Sequence, residues 1–420
     1  MSVAEQEYNH MFGKDPYSVP LEDYDVSQPE LFYSDTQFGF FERLRKEAPV
    51  HYCKDSENGP YWSVSSYEHI LEVENNPKVF SSEPSITLVD PEENFDISMF
   101  IAMDEPKHGD QRRTVQGIVA PTSLATMEPI IRERIGEILD ALPANETFDW
   151  VDKVSIELTG QMLATLFDFP FEERRKLTYW SDVATTIPGP DALIQSIEER
   201  QNILLTECLP AFTELWNQRV NEPPKGDLIS MLAHGKETRD MGPMEFMGNL
   251  MLLIIGGNDT TRNSLSGGVY FLNQNPDQYE KLRNDHSLIN TMVPEIIRYQ
   301  TPLTHMRRTA TEDYVLNGQN IKKGDKVAMW FISGNRDAKH IDQADDFIID
   351  RPRPRQHLSF GLGIHRCMGN RLAEMQLRVA WEEILKRFDK VDVVGEPVRN
   401  FSPFVRGYAE LPVQLRPLAK

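Results

Sequence analysis

Most of the chain has the hydrophobic spacing of amphipathic helices, and strand patterns are few and short. The clearest helical segment starts at Asn370 and reads NRLAEMQLRVAWEEILKRF. Its apolar residues recur about one turn apart, at Ala373, Leu377, Trp381, Ile384 and Phe388. A small hairpin is predicted where 314–316 (YVL) are followed by Asn317 and Gly318 and then by 326–331 (KVAMWF). These patterns predict a mainly α protein with a minor β part.

The longest predicted helix begins at Pro243, a favoured first-turn residue, and ends before Pro276. About 33 residues at about 1.5 Å each give a length of roughly 50 Å, enough to cross the molecule. Its centre reads LMLLIIGGNDTTRNS, so the apolar stretch 250–255 is followed by six poor helix formers. A helix has no structural need for such a run, so these residues require another explanation.

The composition narrows the class of protein. The 420 residues contain no repeat, long linker or abrupt change of composition, which favours a single domain over residues 1–420. A net charge of −21 argues against nucleic acid or an anionic membrane as a partner. The three cysteines are too few and too widely spaced for a disulfide framework. With no recognisable leader and no apolar run of about 20 residues, we expect a cytoplasmic protein without a membrane anchor.

Residues 359–371, SFGLGIHRCMGNR, place a cysteine in a glycine-rich turn at the start of a helix. A thiol near a helix N-terminus, flanked by Arg366 and Arg371, is placed to ionise, and thiolates bind metals or attack carbonyls. A buried structural cysteine is the commoner role for such a residue. A nonhaem metal site is less favoured, because Cys367 and His365 have no nearby histidine or carboxylate set with ligand spacing.

The pattern Phe-Gly-x-Gly-x-His-x-Cys-x-Gly at residues 360–369 resembles the haem-ligand loop of the cytochrome P450 family. Glu295 and Arg298, which share a helical face, resemble the family's Glu-x-x-Arg pair, expected to be a buried structural clamp. The resemblance implies the P450 fold, a large helical domain with small β-sheets and a long central helix over a haem b. It makes Cys367 the axial ligand of the haem iron. The same loop would supply three further cofactor-binding residues, Phe360, Gly361 and Gly363.

Two further motifs extend this resemblance. The stretch 256–261 (GGNDTT) resembles the oxygen-binding motif of the family's long helix. The resemblance implies that the centre of the helix is loosened over the iron, with Gly256 and Gly257 against the haem. By the same resemblance the catalytic residues are Asp259, which relays protons, and Thr260, which hydrogen-bonds to bound oxygen. Four basic residues match the family's partners of the haem propionates, namely His108, Arg112, His365 and Arg308, with Arg307 left open as an alternative to Arg308.

The resemblance implies a monooxygenase that inserts one atom of dioxygen into an unactivated C–H bond. Electrons would come from NAD(P)H through ferredoxin reductase and ferredoxin, because the chain has no flavin or iron–sulfur motif. Five arginines and no acid lie between Arg351 and Arg371, which indicates a basic face suited to an acidic ferredoxin.

The segments GGNDTTRNS, MVPEIIRYQTPL, MRRTA and HRCMGNRLAE together resemble the bacterial branch that hydroxylates the terminal carbon of medium-chain n-alkanes and related aliphatics such as fatty acids. A neighbouring branch shares GNDTTRNS, so a sterol or terpenoid side-chain hydroxylase stays open, as does a noncatalytic haem-thiolate sensor. The pocket is expected to have apolar walls for a small apolar substrate. It would comprise the loop 86–100 and six other residues, Leu252, Ile255, Leu303, Thr304, Phe404 and Val405.

Overall fold

The computed structural model describes residues 11–92, 95, 97–144 and 146–418. Its helices are α1 Pro29–Tyr33, α2 Gln37–Glu47, α3 Tyr67–Glu74, α4 Lys107–Val115, α5 Pro121–Asp140, α6 Ile156–Phe167, α7 Arg175–Thr185, α8 Ile197–Ile203, α9 Leu209–Arg219, α10 Leu228–His234, α11 Pro243–Gln274, α12 Pro276–Asn284, α13 Ile289–Gln300, α14 Phe331–Gly334 and α15 Asn370–Arg387. The strands are β1 Val50–Cys53, β2 Tyr61–Val64, β3 Phe80–Ser81, β4 Phe148–Asp149, β5 Met306–Ala310, β6 Tyr314–Leu316, β7 Gln319–Ile321, β8 Lys326–Met329, β9 Phe388–Val393, β10 Val398–Arg399, β11 Tyr408–Glu410 and β12 Pro412–Pro417. The mainly α class with small sheets is confirmed.

Helix α11 has the predicted ends, with Pro243 in its first turn and Gln274 as its last residue. The loosening predicted for its centre is not observed, because the helix is continuous through the weak helix formers. The side chains of Asn258 and Asp259 accept hydrogen bonds from neighbouring helices instead of competing for the α11 backbone, whereas the Thr260 hydroxyl donates to a carbonyl of α11 itself. For example, the Thr159 hydroxyl of α6 donates to the side-chain oxygen of Asn258 at 2.9 Å. Tertiary contacts therefore hold a segment whose own helix propensity is low.

The largest sheet has the strand order β1-β2-β8-β5-β3, in which β2 and β8 are parallel and the other neighbours antiparallel. The predicted hairpin exists, but the prediction that 326–331 form its second strand was wrong. Asn317 and Gly318, both with positive φ, close a two-residue turn, so β6 pairs with the residues that follow at once in β7. Strand β8 is left free to join the large sheet. The apolar pattern of α15 also ends earlier than predicted, because Phe388 begins β9.

The main hydrophobic core surrounds α11, with α5, α6, α13 and α15 packed about it. A second cluster lies under the large sheet and includes Val327 and Met329 of β8. An internal cavity lies where the middle of α11, the 359–369 loop, β5 and the turn at 401–404 meet. In the described part of the chain, we find no helix with the length and apolar character needed to cross a membrane.

Candidate functional site

Main-chain hydrogen bonds hold the loop that carries Cys367. The Cys367 amide donates to the Phe360 carbonyl at 2.8 Å. At the start of the loop, the Leu358 amide donates to the side-chain oxygen of Asn335 at 2.6 Å. Cys367 lies deep in the molecule and yet has accessible surface, because its side chain faces the cavity.

Two glycines give the loop its shape. Gly361 has φ +60° and Gly363 has φ +61°, in the left-handed region that favours glycine. A Cβ atom at Gly363 would lie 2.8 Å from the backbone oxygen of Glu74, the last residue of α3. The loop can therefore approach α3 this closely only with glycine at position 363. Gly361 lines the cavity with Phe360, whereas Gly363 does not.

The electrostatics around Cys367 favour a ligating thiolate. Burial raises the pKa of its thiol in the protein alone. Four groups lower this pKa: the backbone N–H groups of Gly369 and Asn370 and the guanidinium groups of Arg112 and Arg366. A sulfur atom surrounded by N–H donors and cations is suited to bind a metal ion in the deprotonated form.

Neighbouring arginines of β5 point in different directions. Arg308 lines the cavity and contacts Glu74 at 3.3 Å. Arg307 is turned away and pairs with Asp90 at 2.7 Å. Successive side chains of a strand point to opposite faces, so only one of the two can reach the cavity. This geometry favours Arg308 over Arg307 as a partner for an anionic group of a cofactor.

His365 also lines the cavity, close to other basic side chains. Its Nε2 lies 2.8 Å from the Ser82 hydroxyl, and its buried Nδ1 has no hydrogen-bond partner among the described residues. Burial first, and then the nearby Arg308, His108 and Arg112, lower the pKa of His365 to about 2. The imidazole is therefore neutral, with one nitrogen left to bond to a ligand.

His108 and Arg112 of α4 take different positions, although they share a helical face. The His108 ring nitrogens lie 2.7 Å from the Phe100 carbonyl and 3.0 Å from the Ile364 carbonyl, and the side chain is buried outside the cavity lining. Arg112 does line the cavity and donates to the Arg366 carbonyl at 2.5 Å. Arg112 is therefore placed to meet a cofactor, whereas His108 supports the Cys367 loop.

The centre of α11 forms one wall of the cavity, to which Gly256, Gly257 and Thr260 contribute. A Cβ atom at Gly256 would have no neighbour within 4 Å, whereas one at Gly257 would lie 2.8 Å from the Leu163 side chain of α6. Gly256 therefore leaves space in the cavity, and Gly257 allows close packing of two helices. The Thr260 hydroxyl donates to the Gly256 carbonyl at 2.8 Å and faces the cavity.

Asp259 points away from the cavity, into a buried network with α7. Its carboxylate accepts hydrogen bonds from Arg262 at 2.6 Å and from the Ser181 hydroxyl at 2.9 Å. Arg262 also pairs at 2.9 Å with Asp182, whose side chain is 32% exposed. Burial raises the pKa of Asp259 to about 6; Arg262 acts against this rise and Asp182 adds to it. A chain of polar groups therefore connects solvent to the residue beside Thr260.

Three residues of this network, Arg262, Asp182 and Ser181, were not predicted from the sequence. A signal for Arg262 was present, because it follows Asp259 by three residues on the same helix, a spacing that allows an ion pair. No local signal marks Asp182 or Ser181, which belong to another helix. Their proximity to Asp259 depends on how α7 crosses α11.

The cavity has a volume of about 790 Å³, within the range of small-molecule sites. Thr304 and Val405 do not line it. The Thr304 hydroxyl donates to the Pro403 carbonyl, and Val405 is buried at a bridge with Leu303. Of the loop 86–100, positions 93, 94 and 96 fall outside the described residues. The expected residues that do line the cavity are Leu252, Ile255, Leu303 and Phe404, together with loop residues such as Ile86, Leu88, Val89, Phe95 and Ile97.

The predicted clamp is fully buried. Arg298 donates to both carboxylate oxygens of Glu295 at 2.8 Å, and its side chain also reaches backbone carbonyls that precede the Cys367 loop. A third member, Arg351, donates to Glu295 at 3.0 Å and is buried as well. The sequence analysis missed this role of Arg351.

The predicted basic face contains fewer than the five arginines expected from the sequence. Arg351 does not belong to it because it is buried against Glu295, and Arg355 is neutralised by a bidentate pair with Glu374. Of the four exposed arginines in this segment, the three other than Arg355 are Arg353, Arg366 and Arg371.

The residues around the cavity fit a haem. The Cys367 sulfur, with N–H donors and cations near it, is suited to bind an iron ion. The unpaired buried nitrogen of His365 and the guanidinium groups of Arg112 and Arg308 are suited to bind carboxylates. Opposite them, Gly256 leaves room for a flat ligand to approach α11 closely.

Comparison with known proteins agrees with this site. Residues 179–407 match the family model of cytochrome P450. The chain is similar to linalool 8-monooxygenase of Pseudomonas putida, at 34% identity over 94% of this chain and 99% of the relative. It is also similar to methyl-branched lipid omega-hydroxylase of Mycobacterium tuberculosis, at 31% identity over 96% of each.

Two solved structures are more similar in sequence. CYP153D17 from Sphingomonas sp. PAMC 26605 is 51% identical, covers 94% of this chain and 100% of its own, and has a TM-score of 0.88. Cytochrome P450-153 from Novosphingobium aromaticivorans is 47% identical over 93% of this chain and 99% of its own, with a TM-score of 0.87. The family model matches more than half of the chain, the first two relatives have oxygenase names, and the solved structures share the fold. This protein is therefore a member of the cytochrome P450 family of monooxygenases.

Proposed function

We propose that this protein hydroxylates the terminal carbon of medium-chain n-alkanes or fatty acids and so forms primary alcohols. The observation that carries the proposal is a single cavity that joins Cys367 and Thr260 to a largely apolar wall. An apolar wall favours an aliphatic substrate. The similarity to two CYP153 structures and to a lipid omega-hydroxylase also supports this class and position of oxidation.

As a cytochrome P450, the protein uses a haem and takes electrons from external redox proteins. Here the cofactor would be haem b, whose iron Cys367 would hold and whose carboxylates Arg112, His365 and Arg308 would bind. No Cys-x-x-Cys-His motif is present for covalent attachment. The thiolate-bound haem supplies the chemistry that cleaves the O–O bond of dioxygen.

The protein's own residues would deliver protons and control how the substrate approaches the cofactor. Thr260 presents a hydroxyl to the cavity, where it would hydrogen-bond to the dioxygen substrate. Asp259 would carry protons inward from Asp182 and solvent, because a pKa of about 6 makes both its protonation states accessible near neutral pH. Methylene C–H bonds are weaker than methyl C–H bonds, so terminal oxidation requires the walls to present the chain end first.

Electrons would arrive from NAD(P)H through ferredoxin reductase and ferredoxin. The exposed Arg353, Arg366 and Arg371 lie in the segment that carries Cys367, in a protein with a net charge of −21. A local positive patch of this kind favours docking of an acidic protein at the cysteine side.

A terpenoid substrate is a second candidate, because one full-length relative is a linalool 8-monooxygenase. The discriminating experiment is a spectral titration of the haem-loaded protein with octane, octanoate, linalool and a cholesterol-like sterol. Displacement of iron-bound water by a substrate changes the spin state. A saturable change with octane supports the proposal, and a change with linalool or sterol alone contradicts it.

Product analysis then tests the position of oxidation. With ferredoxin, reductase and NAD(P)H supplied, we expect 1-octanol from octane and little 2-octanol; a majority of 2-octanol would contradict terminal selectivity. Thr260→Ala separates an enzyme from a sensor. The variant should keep its haem and lose product, whereas unchanged behaviour would contradict the catalytic role.

A further inference from the structure

The cavity is lined by three arginines among the described residues. Arg112 and Arg308 belong to the side of the cavity that carries Cys367. The third, Arg200 of α8, faces Glu92, which belongs to the loop 86–100. The side chains of Arg200 and Glu92 are 20% and 23% exposed, so this pair stands where the cavity meets solvent.

The contacts of Arg200 leave little capacity for a ligand. One terminal nitrogen donates to the Thr186 carbonyl at 2.6 Å, and Nε donates to the Val183 carbonyl at 3.3 Å. The other terminal nitrogen faces a Glu92 oxygen at 3.5 Å. The second Glu92 oxygen accepts from the Gln201 side chain at 2.5 Å, which fixes the carboxylate beside the guanidinium.

Among the described residues, the other charged side chains that line the cavity away from Cys367 are carboxylates. Asp90, in the same loop as Glu92, is held by Arg307 at 2.7 Å and by Lys326 at 2.6 Å. Other carboxylates that line the cavity are Asp25, Glu30, Glu57 and Glu74, the last of which contacts Arg308. With Arg112 and Arg308 facing the cofactor, a substrate carboxylate would leave water without a free cation among the described residues that line the cavity, which is costly in a partly buried site.

We propose that the Glu92–Arg200 pair makes this site select neutral aliphatic substrates over fatty acids of the same chain length. The Glu92 carboxylate pairs with the guanidinium of Arg200, which would otherwise bind the carboxylate head group of a substrate. An alkane or an alcohol loses nothing by this arrangement, because it needs no counter-charge. This inference rests on the proposed aliphatic substrate and narrows it to alkanes and primary alcohols.

The test compares binding of 1-octanol with octanoate, and of 1-dodecanol with dodecanoate, by spectral titration of the haem-loaded full chain. In the unchanged protein we expect each carboxylate to bind at least about tenfold more weakly than its alcohol, the loss expected for an uncompensated charge. Glu92→Gln keeps the shape and the acceptor for Gln201 but releases Arg200. It should tighten carboxylate binding by about tenfold and change alcohol binding by less than about twofold.

Two further variants show whether the pair itself is responsible. The double variant Glu92→Gln/Arg200→Gln should lose the gain in carboxylate binding. Glu199→Gln removes an exposed carboxylate next to Arg200 in sequence, one that instead accepts from the Gln195 amide, and it should produce no gain. Thermal unfolding of each variant shows that it is folded.

The outcomes separate this inference from the proposed function. Equal binding of carboxylate and alcohol by the unchanged protein, or an equal gain in Glu199→Gln, overturns the role of the pair and leaves the alkane proposal standing. The absence of any spectral change with octane and with both alcohols overturns both.

Discussion

Arg262 binds Asp259 at 2.6 Å within one turn of α11, and both side chains are buried. The catalytic acid expected from the sequence is therefore turned towards Asp182 and solvent, while its neighbour Thr260 is turned towards the cavity. This division agrees with the proposal that proton supply and oxygen contact belong to adjacent residues on two faces of one helix.

The pH dependence of product formation tests this network. If the protonated Asp259 delivers protons, coupled turnover should fall as pH rises through about 6, where the group loses its proton. Arg262→Gln removes a cation that lowers the pKa of Asp259, so the fall should move about one pH unit higher or more. The measurement is product formed per NAD(P)H consumed, at saturating redox partners, from pH 5 to pH 9.

A second variant tests the direction in which the pH profile moves. Asp182→Asn removes an anion that raises the pKa of Asp259, so its profile should move to lower pH. Asp259→Asn should lose this titration. The same fall near pH 6 in Asp259→Asn would assign it to another group and contradict the relay.

The buried clamp should dominate stability near the Cys367 loop. Glu295→Gln leaves Arg298 and Arg351 without their shared carboxylate in a fully buried site, so we expect the free energy of unfolding to fall by about 3–5 kcal/mol. Glu374→Gln is the matched control, because its partner Arg355 is 62% exposed, and the loss there should stay below about 1 kcal/mol. Urea unfolding followed by circular dichroism measures both, and equal losses would contradict a special role for the clamp.

The sequence predicted those features that depend on neighbours along the chain. The bounds of α11 follow from Pro243 and Pro276, and the shape of the Cys367 loop follows from its glycines. The direction of a side chain across the fold could not be predicted in this way. Arg351 was assigned to a basic surface although it is buried, because only the tertiary fold brings Glu295 beside it.

The predictions for the substrate pocket were weaker for the same reason. Leu303 and Phe404 line the cavity while their neighbours Thr304 and Val405 face the core, and the sequence offers no periodic pattern in these short segments to separate them. The single domain over residues 1–420 and the cytoplasmic location stay predictions.

Glycine at position 363 should be required for cofactor retention. Gly363→Ala places a Cβ atom 2.8 Å from the Glu74 backbone oxygen at φ +61°, which strains the loop by roughly 1–2 kcal/mol before any clash is counted. We expect purified Gly363→Ala to contain less haem per chain. Gly226→Ala is the control, because no atom lies within 4 Å of its new methyl group and it does not line the cavity, so it should keep normal haem content. Full haem content in both variants would contradict the constraint.

Cys367 should be the only one of the three cysteines that determines the spectrum of the haem. Cys367→Ala removes the sulfur that faces the cavity, so the thiolate–iron signature of the reduced, carbon monoxide-bound protein should vanish together with product formation. Cys208→Ala is the matched control, because burial raises the pKa of that thiol, which lies in the hydrophobic core and not in the cavity lining. Cys208→Ala should keep both the signature and turnover. A thiolate signature that survives in Cys367→Ala would mean that another residue holds the iron.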